Sequence, residues 1–131
     1  MTTFIKHHQF FLLMTELIAC LSSGKGTWGH VSRLIDGQEW EKVFLITDSF
    51  GKEKFEKKGN VEFIVIDPNK FLPELAEDIK TQLKDKITGL EVGVNFISGS
   101  GKEHMALMSA LQQLGVGLRL VALTKEGIKE V

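Results

Sequence analysis

The chain has little of several things that would define its class. Among 131 residues there is one cysteine, Cys20, so no disulfide can close within it. That thiol lies inside the apolar run Leu17-Ile18-Ala19-Cys20-Leu21 and reads as a buried strand residue rather than a nucleophile. A free thiol of this kind fits a reducing cytoplasm, which is the expected location. Neither charge is in excess: 16 basic side chains face 17 acidic ones, for a formal charge of −1. Duplex DNA requires a broad basic face, so that partner is excluded, while a small site built from local lysines is not. No apolar run is long enough to span a bilayer. Phe10 to Met14 begins like a signal peptide, but Thr15 and Glu16 interrupt the stretch and no cleavage site follows. Internal repeats, linkers and low-complexity tracts are also missing.

What is present is an ordinary globular composition, 43% hydrophobic and 25% charged, enough for one core without staples. Residues 14–131 are expected to form a single domain. Residues 1–13 are read as an appendage, either a disordered tail or an over-extended reading frame. The adjacent His7 and His8 make a poor metal site without further ligands.

Strand and helix patterns alternate from residue 15 onward. Strands are expected near 15–21, 41–48, 61–66, 91–97 and 116–123. Helices are expected near 27–37, 51–58, 70–87 and 102–114. The third of these shows Phe71, Leu75, Ile79, Leu83 and Ile87 at four-residue intervals. The last is expected to bury Met105, Met108 and Leu111. Strands apolar on both faces call for a parallel sheet covered by helices on each side. The fold expected is therefore α/β, a doubly wound, Rossmann-like sheet of about five strands in the order 3-2-1-4-5.

Two glycine-lysine loops stand where strands hand over to helices. The first is Ser22-Ser23-Gly24-Lys25-Gly26-Thr27-Trp28-Gly29, after the first strand; the second is Ser98-Gly99-Ser100-Gly101-Lys102, after the fourth. Glycine lets a ligand approach the backbone, amides at a helix start attract anions, and lysine adds a mobile positive charge. In the expected strand order the first and fourth strands are neighbours at the switch point. Both loops then meet at the carboxyl edge, where such folds bind ligands. Ser22, Thr27, Ser98 and Ser100 suit either helix capping or ligand contact. His30 and His104, each in the first turn of a helix, suit phosphate contact or a packing role. Trp28 suits core packing better than base stacking.

Two other readings compete. Gly24-x-Gly26-x-x-Gly29 fits a dinucleotide fingerprint, with Asp48 at the end of the second strand placed as the ribose-binding acid. Lys25 between the first two glycines and Trp28 before the third count against it. Alternatively the glycines serve only the turns, and the chain is a structural or interaction protein. Neither loop is a Walker A motif: the leading glycine position holds Ala19 in one and Phe96 in the other.

The stretch Val94-Asn95-Phe96-Ile97-Ser98-Gly99-Ser100-Gly101-Lys102-Glu103-His104-Met105, with the helix and strand after it, resembles the ligand-binding region of CRISPR-associated Rossmann-fold (CARF) domains. The resemblance covers most of residues 15–125 in topology and this segment in motif. It implies an antiviral-defence sensor, a homodimer binding a cyclic oligoadenylate across its two-fold axis without a cofactor. Glycine-turn amides would hold phosphates, Lys25 and Lys102 would neutralise them, and Asn95 or Asp48 would read ribose or base edges. A stand-alone member would act as a sensor, as a sink, or as a metal-independent ring nuclease. In the last case the ribose 2′-hydroxyl attacks the adjacent phosphate, with Lys102 stabilising charge and Ser22 positioning the phosphate.

Overall fold

The computed structural model describes residues 15–21 and 24–131. The appendage expected over residues 1–13 lies outside the described residues, as do Ser22 and Ser23. Among the described residues there are six strands: β1 (Glu16–Cys20), β2 (Lys42–Thr47), β3 (Val61–Val65), β4 (Glu91–Asn95), β5 (Gly117–Thr124) and β6 (Gly127–Glu130). Four α-helices lie between them: α1 (Trp28–Asp36), α2 (Ser49–Lys54), α3 (Leu72–Leu83) and α4 (Gly101–Leu114). A 3-10 turn over Lys25–Thr27 feeds α1.

The sheet runs β3-β2-β1-β4-β5-β6. Its first five strands are parallel, in the order expected from the sequence. The expectation of about five strands is corrected by β6, which pairs antiparallel with β5. The hairpin joining them turns at Gly127, whose φ of +101° is easily reached only by glycine.

Alternation along the strands divides the core into two layers. On one face Ile18, Phe44, Ile64 and Val94 lie beneath α3 and α4. On the other Leu17, Val43, Leu45 and Val121 lie beneath α1. From α3, Leu75, Ile79 and Leu83 are fully buried; each such side chain contributes ~1.5–3 kcal/mol. The opposite layer takes Trp28, Val31, Leu34 and Ile35 from α1, so Trp28 is a core residue, as its helical spacing suggests.

Helix boundaries differ from expectation where side chains set them. α2 starts earlier than residue 51, because Asp48 at the end of β2 caps it, accepting from Gly51 N at 2.8 Å. α3 ends at Leu83, short of Ile87. The chain leaves the helix there and is held beyond it by Glu16, whose buried carboxylate accepts from Gly89 N at 2.9 Å and from Thr88 N. In α4 the buried stripe is Ala106, Leu107, Ala110 and Leu111. Met105 and Met108, expected inside, are 60% and 37% exposed. Alanines bring α4 close to the sheet and turn both methionines outward. No helix among the described residues is long and apolar enough to cross a membrane.

Candidate functional site

Register places the two glycine-lysine loops side by side. Ala19 of β1 pairs with Asn95 of β4, so both strands end level at the carboxyl edge. The loops that follow are joined directly: Thr27 Oγ1 donates to Ser98 Oγ at 2.6 Å. Ser98 is 1% exposed, so this bridge is shielded from water. Thr27 makes no capping bond to α1; its hydroxyl links the loops instead.

The second loop is fixed tightly. Gly99 has φ +98°, and a β-carbon there would lie 2.8 Å from Cys20 Cβ and 3.1 Å from Glu103 Oε1. Ser100 and Glu103 form a reciprocal capping box: Glu103 N donates to Ser100 Oγ at 3.2 Å and Ser100 N donates to Glu103 Oε1 at 2.9 Å. His104 stacks against Phe96 with ring centroids 4.6 Å apart. Its Nε2 lies 2.8 Å from the Ser98 carbonyl oxygen, and since a carbonyl can only accept, Nε2 carries the proton. His104 thus holds the loop from beneath. Cys20, under the same turn, is held as a neutral thiol, its pKa pushed up to about 12 by burial and then by the Glu103 charge. Both sequence readings of Cys20, buried and unreactive, agree with this placement.

From Gly24 onward the first loop is open. A β-carbon at Gly24, Gly26 or Gly29 would meet nothing within 4 Å among the described residues, and Gly101 is equally clear. None of these four has a positive φ. Neither packing nor backbone conformation therefore demands glycine at these positions. The amides of Lys25, Gly26, Gly101 and Lys102 meet no acceptor among the described residues. Four such amides on exposed residues of two joined loops make a surface suited to anions.

Each lysine reaches a residue that borders one cleft. Lys25 Nζ sits 5.7 Å from the centroid of the Trp28 ring and 5.9 Å from that of Phe50. Lys102 Nζ donates to the Pro68 carbonyl oxygen at 2.9 Å, reaching from α4 to the turn after β3. Phe50 and Pro68 both line a cleft of about 470 Å³ between the carboxyl ends of β2 and β3, together with Asp48, Ile66, Asp67 and Asn69. No motif in the sequence marks this cleft. Its signal was Phe50, an aromatic directly after the polar end of a strand, hidden among the charges of residues 52–58.

Other expected site residues have structural duties. Asn95 is buried; its Nδ2 donates to the Val121 oxygen at 2.8 Å and its Oδ1 accepts from Ile97 N at 3.1 Å. Its amide ties β4 to β5 and shapes the second loop, which leaves it badly placed to read a ligand. Asp48 uses Oδ1 to cap α2 and still borders the cleft. His30 Nε2 is buried with no hydrogen-bond partner among the described residues. No group of three or more His, Cys, Asp or Glu side chains among the described residues could hold a metal ion. The third glycine of a dinucleotide fingerprint exists to let helix and sheet pack closely. Gly29 instead faces open space, so the pattern at Gly24, Gly26 and Gly29 lacks that physical basis. Compared with known protein families and curated proteins, the chain matches no family model and no curated sequence.

Proposed function

We propose that the carboxyl edge binds a nucleotide by its phosphates, and that the ligand is a cyclic oligoadenylate gripped by a pair of chains. The observation that carries this reading is the Thr27–Ser98 hydrogen bond. It joins two loops whose exposed glycines have no structural need to be glycine. Around them stand amides with no acceptor among the described residues, and Lys25 and Lys102 reach toward the same rim. A cyclic tetra-adenylate has four phosphates and its own two-fold symmetry, so two chains presenting two loops each match it in charge and shape.

Binding without turnover is the reading carried forward. Of the two residues the resemblance assigns to chemistry, Lys102 donates to the Pro68 carbonyl and Ser22 lies outside the described residues. The chain is accordingly read as a sensor or sink for the messenger.

Calorimetric titration of the full chain with cyclic tetra-adenylate tests the proposal. Saturable binding, weakened at least tenfold in Lys25→Ala and in Lys102→Ala, is the expected result, each lost charge-assisted contact being worth about 1.5–3 kcal/mol. Absence of binding overturns it. Chromatography of the same incubations should return the ring intact; a linear product that disappears in Lys102→Ala would make the protein a ring nuclease. NAD and NADP should give no thermal shift.

A further inference from the structure

Lys102 makes a contact that phosphate binding on the loops cannot share. Its ammonium donates to the Pro68 carbonyl oxygen at 2.9 Å, in the turn between β3 and α3. The joined loops stand at the ends of β1 and β4, and β2 separates β3 from β1. At about 4.8 Å per strand, that turn lies at least about 10 Å from the loop junction. One ammonium cannot meet both places. Lys102 is either parked on Pro68 or turned toward a phosphate on the loops.

We infer that Lys102 is a strap released by ligand: in the free chain it ties the turn over residues 67–70 to α4, and a bound phosphate draws it away and loosens the turn. The inference rests on the nucleotide reading above and adds to it a structural signal of occupancy. Three observations support it. The turn's other bonds are its own: Asn69 N donates to Asp67 Oδ1 at 3.0 Å and Lys70 N donates to the Asp67 carbonyl oxygen at 3.2 Å. The Lys70–Asp78 ion pair reaches only into α3, the helix this turn opens. Among the described residues, Lys102 therefore supplies the turn's one hydrogen bond to a separate element. Packing does not replace it, since Asp67, Asn69 and Lys70 are exposed and Phe71 beyond them is 78% exposed. Lys102 is exposed as well, and it is held by an uncharged carbonyl; an anionic phosphate is the stronger acceptor for an ammonium. Breaking the tie subtracts from ring affinity, and by reciprocity the ring loosens the turn by the same factor, about fivefold at most for an exposed contact.

Amide hydrogen exchange of the full chain, followed by NMR with and without saturating cyclic tetra-adenylate, reads the turn directly. A ligand ordinarily slows exchange, yet the Asn69 and Lys70 amides should exchange faster with the ring bound, by up to about fivefold. A second measurement strengthens the tie instead of breaking it. Asn69→Asp places a carboxylate next to Pro68 from an exposed position and should hold Lys102 more firmly, weakening ring binding in calorimetry by up to about fivefold. A charge that merely repelled phosphate would act equally without Lys102, so the same substitution is made in Lys102→Met, where it should add no further loss. Thermal melts identify any loss caused by unfolding, and if Asn69→Asp does not fold, exchange in the wild type decides alone. Ring binding with exchange at Asn69 and Lys70 unchanged or slowed, or an equal loss in both backgrounds, overturns the strap and leaves the phosphate reading intact. No binding of the ring by wild type ends both.

Discussion

At the residue scale, the two loops contain glycines of opposite kinds, and substitution separates them. Gly99→Ala must accept φ +98° and a β-carbon 2.8 Å from Cys20 Cβ. It should lower stability by more than about 1 kcal/mol in urea denaturation, because alanine is strained at positive φ. Gly26→Ala meets no atom within 4 Å and no positive φ. Its stability should stay within about 0.5 kcal/mol of wild type, while titration with cyclic tetra-adenylate should show weakened binding as the methyl blocks close approach. A Gly26→Ala protein that binds as wild type does would remove the main reason for reading the first loop as a ligand cradle. Cys20 makes a second residue-scale prediction. Its thiol pKa rises from an ordinary 9.0 to about 12 on folding, so the folded state holds the proton more tightly than the unfolded state. The resulting stability is full below pH 9 and is lost as pH rises toward 12. Its slope approaches 1.4 kcal/mol per pH unit at most, taken as an approximate ceiling. Urea midpoints measured across that alkaline range should fall less steeply for Cys20→Ala than for wild type.

At the element scale, the Thr27–Ser98 bond does what neither loop could do alone. Thr27→Val keeps the shape and removes the donor, and should cost about 1 kcal/mol of stability. The larger effect should be on function: with the loops released, calorimetry should show ring binding weakened more than the melting temperature implies. Elements were legible in the sequence wherever periodicity and burial coincide. The stripe of Leu75, Ile79 and Leu83 marked α3 correctly, but Ile87 prolonged the pattern beyond Leu83, where the helix actually ends. The reason lies far away in sequence, in the grip of Glu16 on Thr88 and Gly89. Similarly, Met105 and Met108 read as core because they are apolar, whereas Ala106 and Ala110 win the buried face by being small. The four-residue β6 offered too short a pattern to recognise, and it depends on β5 for every backbone partner. Asn95 was legible as important but not for what it does, since its partners Val121 and Ile97 are set by the sheet.

At the scale of the whole molecule, strand order followed from alternation and crossover rules alone, and it correctly placed two distant loops together. What it could not supply was the direction in which the lysines reach. Both turn toward the β2–β3 side, Lys25 to Phe50 and Lys102 to Pro68, giving the carboxyl edge a cationic rim in a chain of net charge −1. Those lysines are exposed, so any grip they have on phosphate must weaken with salt. The dependence also measures how many chains share one ligand. Each phosphate contact contributes about one unit to the slope of log K against log salt. If one chain binds one ring, Lys25→Ala removes a single contact and flattens the slope by about one unit. If two chains enclose the ring, each substitution acts twice and should flatten it by about two units. The proposed pairing across a two-fold axis requires the second result, with one ring bound per two chains in sedimentation analysis. A one-unit change with one ring per chain would keep the nucleotide site and rule out the symmetric assembly.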